Sequence, residues 1–292
     1  MSRYRVIVLT TLTMMAFTGN SLLCRLALKT TNIDALSFTS IRLLSGAVAL
    51  LFLSIASRIS RQGGGTWSGS ASLFIYAVCF SLAYVKLSAS TGALLLFGAV
   101  QATMIGFGIW TGERLRSLQI VGFIVAIGGL IGLLLPGVSA PPVFSALLML
   151  CAGVAWGAYS ILGKRGGNPT WVTTGNFLRA FPVALLLSLV MDRSVNLDVA
   201  GAGFAIASGA LTSGVGYAIW YAVLPSLRTT VASTVQLSVP VITALGGIIF
   251  LGESLTSRLV LSSAAIIGGI WLVLHKSKEP KKFEQAGEIT RR

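Results

Sequence analysis

Long apolar runs, separated by short polar stretches, cover almost the whole chain. Each run is long enough for one membrane crossing, because a helix needs roughly 20 apolar residues to span the hydrocarbon core. The pattern predicts ten helical spans, with most charged residues in the turns between them. Their predicted bounds are 5–28, 35–56, 70–87, 91–111, 117–135, 143–163, 171–191, 200–224, 230–251 and 257–275. We therefore expect an all-α polytopic membrane protein.

Part of this pattern occurs twice. When residues 103–129 are aligned with residues 243–269 at a constant offset of 140, ten of the 27 positions are identical. Each copy has an apolar run, a Gly-Glu turn and a second apolar run that contains Gly-Gly. Arg42 and Arg179 also correspond, at an offset of 137. A repeat made of bilayer-length pieces predicts a duplicated membrane protein.

The repeat divides the chain into two five-span units, residues 1–136 and 143–275. Because five is an odd number, the second unit crosses the membrane in the opposite orientation to the first. Placing both termini in the cytoplasm puts 15 of the 22 lysines and arginines on that side, as the positive-inside rule requires. We predict inverted repeats, followed by a basic cytoplasmic tail, 276–292, that is disordered or lies on anionic lipid.

Composition supports the membrane assignment. The 292 residues are 54% hydrophobic and only 10% charged, whereas soluble domains carry about 25% charged residues. The mean hydropathy of +0.85 leaves little of the chain for a soluble catalytic domain. The net charge of +14 follows the positive-inside distribution, so we expect the lipid bilayer as a partner and no nucleic acid.

Two smaller features fit the same class. The start, Met-Ser-Arg-Tyr-Arg before an apolar run, is similar to a signal peptide, but further spans follow at once, so we expect an uncleaved first helix. Cys24, Cys79 and Cys151 lie inside predicted spans and lack metal-type spacing. We interpret them as small buried residues.

The motifs in the two units resemble those of a known family. Trp156-Gly157-Ala158-Tyr159-Ser160 lies in the first helix of the second unit, an arginine opens the second helix of each unit, Gly-Glu follows the fourth, and Gly-Gly lies in the fifth. This arrangement is similar to the drug/metabolite transporter superfamily of the EamA type, and within it to YddG-type exporters of aromatic amino acids. The first unit departs from the pattern, with Phe17 and Thr18 at the Trp-Gly position. The resemblance implies a central cavity, no metal or organic cofactor, and outward movement of small organic metabolites.

Uncharged polar side chains inside spans are the first candidates for a substrate-binding site, because such groups are costly in hydrocarbon unless they pair or face water. Asn20, Gln101 and Gln236 are residues of this kind. Pro240 follows Gln236 by four residues and prevents the usual helical bond to its carbonyl, and transporters commonly build sites from interrupted helices. We predict that these amides bind substrate and that Pro182 and Pro240 act as hinges. The alternative is hydrogen bonding between neighbouring helices.

Aromatic residues recur at helical spacing in three spans, so each set shares one helix face. Three such faces would suit an apolar or aromatic substrate with one polar end. The alternatives are packing between helices and membership of the interfacial aromatic belt. The predicted substrate-binding residues of these faces are Tyr76, Phe80 and Tyr84, then Trp156, Tyr159 and Ser160, and finally Tyr217 and Trp220.

The two arginines that correspond in the repeat have competing interpretations. Arg42 and Arg179 lie roughly 10 Å inside their spans, where either could meet a substrate carboxylate. Their presence in both copies favours a structural role instead, such as bonding helix-terminal carbonyls. Glu253, like its repeat counterpart Glu113, follows a glycine and is expected to cap the start of the next helix.

We predict a transporter that moves amino acids, aromatic or otherwise neutral, outward across the inner membrane. Its two units would rock around a midplane cavity lined by spans 1, 3, 4, 6, 8 and 9. None of the acidic residues lies mid-span, so we expect facilitated transport or exchange without a carboxylate relay. The alternatives are a drug or cation exporter or a nucleotide-sugar-like carrier of the same fold, and then a channel. An enzyme is disfavoured because no span pairs a nucleophile with a base. The sequence is compatible with a monomer.

Overall fold

The computed structural model of the chain describes residues 1–57, 63–112, 115–137, 140–163, 168–191, 197–227 and 235–275. Within these ranges the chain forms ten helices, numbered α1 to α10, of which α1 to α8 are long and apolar enough to cross a membrane. The predicted all-helical class is confirmed. The bounds are α1 Arg3–Thr30, α2 Ala35–Ala56, α3 Trp67–Tyr84, α4 Ala89–Trp110, α5 Ser117–Leu134, α6 Val143–Leu162, α7 Pro169–Met191, α8 Val199–Ser226, α9 Ser238–Leu251 and α10 Ser257–His275.

Polar side chains mark where several of the helices begin. The Asp34 carboxylate accepts hydrogen bonds from the first backbone N–H groups of α2, at 2.9 and 2.7 Å. Thr66 and Ser88 cap α3 and α4 in the same way. These caps satisfy donors that a helix start leaves unpaired. Because the turns before α2 and α4 are only four residues long, these successive helices run antiparallel.

The helix α8 changes its hydrogen bonding along its length. It is α-helical over Val199–Ala207, widens to a π-helical pattern over Ser208–Val215, and is α-helical again over Gly216–Val223. Wide turns of this kind are frequent at functional sites. Here the π-helical segment places Ser208 against α1, where it reaches the central site.

The predicted hinge prolines lie at different depths in their helices. Pro182 is inside α7, which continues unbroken to Met191. In the predicted span 230–251, residues 230–234 lie outside the described ranges, and Gln236 precedes a turn before α9 begins at Ser238. Pro240 therefore lies in the first turn of α9, where its missing N–H removes no bond within that helix.

Each helix of the first half, α1 to α5, corresponds to the helix five places later, α6 to α10. The helices pack in the same way in both halves when each one is exchanged for this counterpart. α3 packs on α6, and its counterpart α8 packs on α1; α4 packs on α6, and α9 packs on α1. α3 contacts α7, and α8 contacts α2. The remaining large contacts, α2 with α7, α4 with α9 and α5 with α10, each join a helix to its own counterpart. A two-fold relation between two five-helix units gives this pattern, whereas the domain bounds themselves stay a prediction.

The bundle has two ends, and contacts between helices occur at both. The terminal end is the one at which the odd-numbered helices begin. The opposite end is the one at which the even-numbered helices begin. At the terminal end the side-chain amide of Gln119 on α5 donates to the Val273 carbonyl on α10, at 2.8 Å. At the opposite end Arg258 on α10 donates to the Leu135 carbonyl that follows α5. The cytoplasmic assignment of the terminal end stays a prediction.

The outward faces of the bundle are apolar. Phe250, Leu261 and Ile124 expose 72%, 72% and 63% of their surface, which is far more apolar exposure than a soluble monomer shows. A lipid bilayer covers such a surface. Cys24 is buried as predicted, but Cys151 is exposed on α6, because it lies on the helix face away from the core.

The helices α5 and α10 approach each other at glycines. A Cβ atom on Gly122 would lie 2.6 Å from the Gly269 carbonyl oxygen, and one on Gly269 would lie 2.6 Å from the Ala126 nitrogen. Only glycine allows this separation. Gly128 and Gly268 differ, because a Cβ on either would meet no described atom within 4 Å.

Candidate functional site

A small cavity lies at the centre of the bundle, where mid-helix residues of α1, α3, α4, α6 and α8 meet. Its volume is about 20 Å³, enough for a water molecule, which needs roughly 10–15 Å³. Ligand pockets usually measure roughly 300–1,000 Å³, so the site is contracted in this conformation. The sequence also predicted that α9 would line the cavity, but no described residue of α9 does so. The residues that line the cavity are Phe17, Asn20, Ser21, Tyr76, Phe80, Leu96, Phe97, Trp156 and Tyr217.

Aromatic rings form most of the cavity wall, and Trp156 is at their centre. Its ring centroid lies 4.9 Å from that of Tyr76 and 5.0 Å from that of Tyr217. Phe17 lies edge-on to Tyr217 at 5.9 Å, and Trp220 packs behind Phe17 at 6.0 Å. Aromatic pairs of this geometry each contribute about 0.5–1.5 kcal/mol beyond area burial. The predicted faces on α3, α6 and α8 thus meet in one cluster.

A chain of hydrogen bonds crosses the cavity wall. The Ser208 hydroxyl on α8 donates to Asn20 Oδ1 on α1 at 2.7 Å, and Asn20 Nδ2 donates to the Tyr76 hydroxyl on α3 at 2.9 Å. These two bonds fix which way the Asn20 amide points. The Tyr76 hydroxyl accepts here and keeps its own proton for donation. The cavity therefore has a polar side that joins three helices and both halves of the chain.

Two of the predicted tyrosines bond to neighbouring helices or turns instead of lining the cavity. The Tyr84 hydroxyl donates to the Ala89 carbonyl at 3.3 Å, across the turn between α3 and α4. The Tyr159 hydroxyl donates to Thr173 Oγ1 at 3.4 Å and accepts from Asn176 Nδ2 at 3.3 Å, which joins α6 to α7. Tyr84 and Tyr159 therefore contact neighbouring helices, which is closer to the alternative of packing between helices than to cavity lining.

The other predicted polar residues also lie away from the cavity lining. The Ser160 hydroxyl donates to the Trp156 carbonyl of its own helix at 2.9 Å. Gln101 is buried on α4, and its Nε2 has no acceptor among the described residues. Gln236 is half-buried just before α9. Sequence position predicted that these residues lie inside the helices near the site. It did not predict which groups their side chains contact.

Two glycines on α6 explain how Trp156 reaches the cavity. A Cβ atom on Gly153 would lie 2.6 Å from the Leu96 carbonyl oxygen, and one on Gly157 would lie 2.8 Å from Thr103 Cβ. α6 can therefore rest directly on α4. The Trp-Gly sequence combines a large ring that enters the cavity with a residue that permits close helix packing.

Arg42 is buried beside the aromatic rings of the cavity wall. It is the largest fully buried side chain, 1% exposed, and its guanidinium carbon lies 5.2 Å from the ring centroid of Tyr76 and 4.9 Å from that of Phe80. Its Nε and Nη1 have no hydrogen-bond partner in the described part of the chain. Burying an unpaired ion costs several kcal/mol, and desolvated cation–π contacts return about 2 kcal/mol. A positive charge that has no counter-ion among the described residues thus lies beside the cavity.

Arg179, the repeat counterpart of Arg42, is bonded differently. Its guanidinium donates to the Gly64 carbonyl and, at 3.0 Å, to the Gly175 carbonyl. It also lies 5.8 Å from the Trp67 ring centroid at the terminal end. Arg179 thus bonds backbone carbonyls, as the structural interpretation expects for both arginines, whereas Arg42 makes no such bond to the residues that the structure describes.

The carboxylate of Glu253 joins the two halves at the opposite end. It was expected to cap α10, but it caps α4 of the other half instead, accepting from Ala89 N at 2.7 Å and from Ser90 N at 3.4 Å. Arg25 Nε lies 3.8 Å from the same carboxylate. The turn before α10 points Glu253 away from its own helix start, so local position did not predict its partner. Its counterpart Glu113 lies outside the described residues.

Two basic residues of α1 complete this connection. Arg25 Nη1 donates to the carbonyls of Tyr84 and Val85 at 2.9 and 3.0 Å, and Lys29 donates to the Leu251 carbonyl at 2.8 Å. We call Arg25, Lys29 and Glu253 the latch. The latch ties α1, the α3–α4 turn and the α9–α10 turn together on one side of the cavity.

Comparisons with known proteins agree with this architecture. Residues 143–275 match the EamA-like transporter family. An uncharacterized protein of Pseudomonas aeruginosa is 54% identical over 271 residues, which cover 92% of this chain and 94% of that protein. An uncharacterized transporter of Archaeoglobus fulgidus is 28% identical over 206 residues, which cover 69% of this chain and 74% of that protein.

A named exporter and a solved structure are also similar. The threonine/homoserine exporter RhtA of Escherichia coli K12 is 29% identical over 178 residues, which cover 58% of this chain and 60% of RhtA. A protein of known crystal structure matches with a TM-score of 0.67 at 17% identity, covering 93% of this chain and 98% of that chain. The last match concerns the fold alone.

Proposed function

This chain belongs to the EamA-like transporter family and is a multi-pass membrane transporter, and from that premise we propose that it exports amino acids. The observation that carries the proposal is the central cavity, where aromatic rings and a polar Asn20–Tyr76 pair face the same space. Similarity to an exporter of threonine and homoserine supports amino acids as the solute class.

The proposed solute has an apolar or aromatic side chain and one polar end. The rings around Trp156 offer a surface on which such a side chain can stack. Asn20, Ser21 and Tyr76 supply amide and hydroxyl groups for the polar end. Organic cations are disfavoured as solutes, because the unpaired charge of Arg42 lies beside the cavity.

The proposed mechanism is alternating access. In this mechanism the latch holds the opposite end closed, and the small cavity lies beside the Asn20–Tyr76 bond. Opening toward that end would require the latch to break, because it joins helices of both halves. We propose that one five-helix unit rocks against the other, with Pro182 and Pro240 as the bending points.

The proposed direction follows from the charge distribution. With the basic terminal end in the cytoplasm of a bacterial cell, the latch faces the outside, and solute released past it leaves the cell. The acidic residues in the described ranges, Asp34, Asp198 and Glu253, all lie at the opposite end. We therefore propose exchange or facilitated transport without a carboxylate relay in the cavity.

Counterflow in proteoliposomes tests the proposal. Vesicles that contain the purified protein and unlabelled L-threonine or L-phenylalanine should accumulate the labelled amino acid saturably, with competition between related solutes. Trp156→Ala should lower kcat/KM by roughly tenfold or more, the usual effect of removing a central aromatic contact. Gln236→Ala tests the predicted role of that amide in the same assay.

Trp110→Ala is the matched control, because Trp110 is 83% exposed at the end of α4 and should leave counterflow unchanged. Flux without saturation would indicate a channel. Absence of amino-acid counterflow in folded protein would refute the proposal.

A further inference from the structure

We propose that Arg42 binds the carboxylate of the transported solute. The inference rests on the proposed function for the identity of the solute, but the anion-binding role of Arg42 can be tested without it. Nothing in the sequence alone separates Arg42 from its counterpart Arg179, and the structure does so through their partners.

The Arg42 side chain is a buried cation with hydrogen-bond donors that the described residues leave free. It is buried deep in α2, and its Nε and Nη1 lack acceptors among the residues described. The one ion pair found in those ranges joins Arg25 and Glu253, so Arg42 has no carboxylate partner there. A buried guanidinium that keeps free donors is prepared for an acceptor that arrives from outside the chain.

The Arg42 guanidinium lies beside the cavity. The guanidinium lies over the rings of Tyr76 and Phe80, and both rings line the cavity. We infer that a shift of these two rings would bring the charge into contact with a ligand in the cavity. Arginine presents a planar fork of donors that matches the two oxygens of a carboxylate. A widened cavity would thus offer a charged seat for one end of the solute.

Arg179, the repeat counterpart of Arg42, differs from it in its hydrogen-bond partners. The repeat keeps an arginine at both positions, but within the described part of the chain only Arg179 bonds backbone carbonyls, those of Gly64 and Gly175. A purely structural arginine is expected to have such acceptors. Arg42 lacks them at the position where the solute is proposed to bind.

The geometry defines a substrate class. A carboxylate on Arg42 leaves the side chain of the solute against the rings of Trp156 and Tyr217, which share the same cavity. The class is monocarboxylates with an apolar side chain, including neutral amino acids. Amines and amides of the same shape lack the negative charge and should bind weakly.

Binding to purified protein in detergent gives the first test. Quenching of tryptophan fluorescence is titrated with L-phenylalanine and 3-phenylpropionate, and with L-phenylalaninamide as the uncharged-end control. The natural protein should bind the two carboxylates at least about tenfold more tightly than the amide. Arg42→Gln should reduce that preference to within about twofold, and Arg42→Lys should restore part of it, because a point charge remains.

Thermal unfolding without ligand gives the second test. Arg42→Met removes a buried unpaired charge and should raise the Tm, because replacing such a charge with an apolar side chain is commonly stabilising. Arg179→Met is the matched control and should lower the Tm, because two carbonyls lose their donor. If both variants lowered the Tm equally and Arg42→Gln kept the carboxylate preference, the proposal would be overturned.

The outcomes separate the two proposals. Arg42-dependent binding of 3-phenylpropionate without amino-acid counterflow would support the carboxylate-binding role of Arg42 and refute amino-acid export. Amino-acid counterflow with an unchanged carboxylate preference in Arg42→Gln would support export and refute the carboxylate-binding role of Arg42.

Discussion

Asn20 shows how one side chain can connect the site to the helices around it. Its amide accepts from Ser208 and donates to Tyr76, so one residue of α1 holds α8 and α3 in register. A leucine of similar size would leave both hydroxyl groups without this partner. Leaving a buried polar group unsatisfied costs about 1–3 kcal/mol.

We therefore expect Asn20→Leu to lower the free energy of unfolding by about 1–3 kcal/mol and to raise KM in counterflow. Thr13→Val is the control on the same helix, because Thr13 is equally buried but bonds only the Leu9 carbonyl of its own helix. Thermal unfolding in detergent and counterflow kinetics measure the two effects. Equal behaviour of the two variants would contradict the role given to Asn20.

For single residues, the sequence predicts which side chains are costly to place in the hydrocarbon core. It does not predict which groups those side chains contact. Asn20 and Trp156 are recognisable because a polar or amphipathic side chain in mid-span needs a reason to be there. The difference between Arg42 and Arg179 is not recognisable, since the Gly64 carbonyl that binds Arg179 is 115 positions away in the chain. Tyr84 shares a predicted helix face with Tyr76, and Ser160 shares one with Trp156, yet their hydroxyl groups bond backbone carbonyls, those of Ala89 and Trp156.

The contact between α5 and α10 depends on individual glycines, and adjacent glycines differ. Gly269→Ala should destabilise the protein by about 1–3 kcal/mol, the usual cost of overpacking, because the added methyl group meets the backbone of α5. Gly268→Ala adds the same atom one position away into open space, and should be neutral or stabilising by about 0.5–1 kcal/mol. Thermal unfolding of the two variants measures the difference. A lower Tm for Gly268→Ala than for Gly269→Ala would contradict the packing.

The latch links elements of both halves, so weakening it should shift the balance between conformations. Glu253→Gln keeps the shape of the side chain but removes the charge that Arg25 and the start of α4 share. Charge-assisted hydrogen bonds contribute about 1.5–3 kcal/mol, so opening at this end should become roughly tenfold more frequent. The rate at which a cysteine at position 21 reacts with a maleimide measures that opening.

Arg258→Gln is the control for the latch, because Arg258 also lies at the opposite end but bonds only the carbonyls after α5. It should leave the labelling rate unchanged. An equal rate in the natural background and in Glu253→Gln would show that the latch does not hold this end closed.

At the scale of elements, hydropathy predicted the number and order of the helices, because the bilayer sets the length of each apolar run. Pro240 was interpreted as an interruption within the span 230–251. It lies in the first turn of α9, where proline is tolerated, and residues 230–234 of that span lie outside the described ranges. A pattern of apolar residues does not show where within a span a helix begins.

The whole molecule is predicted to have both ends of the chain on one side of the membrane. In a variant whose three cysteines are replaced by alanine, Ser2→Cys should be protected from an impermeant maleimide in intact cells, because the terminal end is predicted to face the cytoplasm. Lys86→Cys, exposed after α3, should be labelled. Labelling of both positions from the outside would contradict the orientation and the direction of export.

The central claim is that two inverted units share one cavity and expose it alternately to the two sides. Single-cysteine labelling of Ser21→Cys tests it most directly, because Ser21 lines the cavity and is 1% exposed in the contracted state. In oriented membrane vesicles, impermeant maleimide should label this cysteine from either side, and saturating L-phenylalanine should slow both reactions. Labelling from one side only, under every solute condition, would contradict the claim.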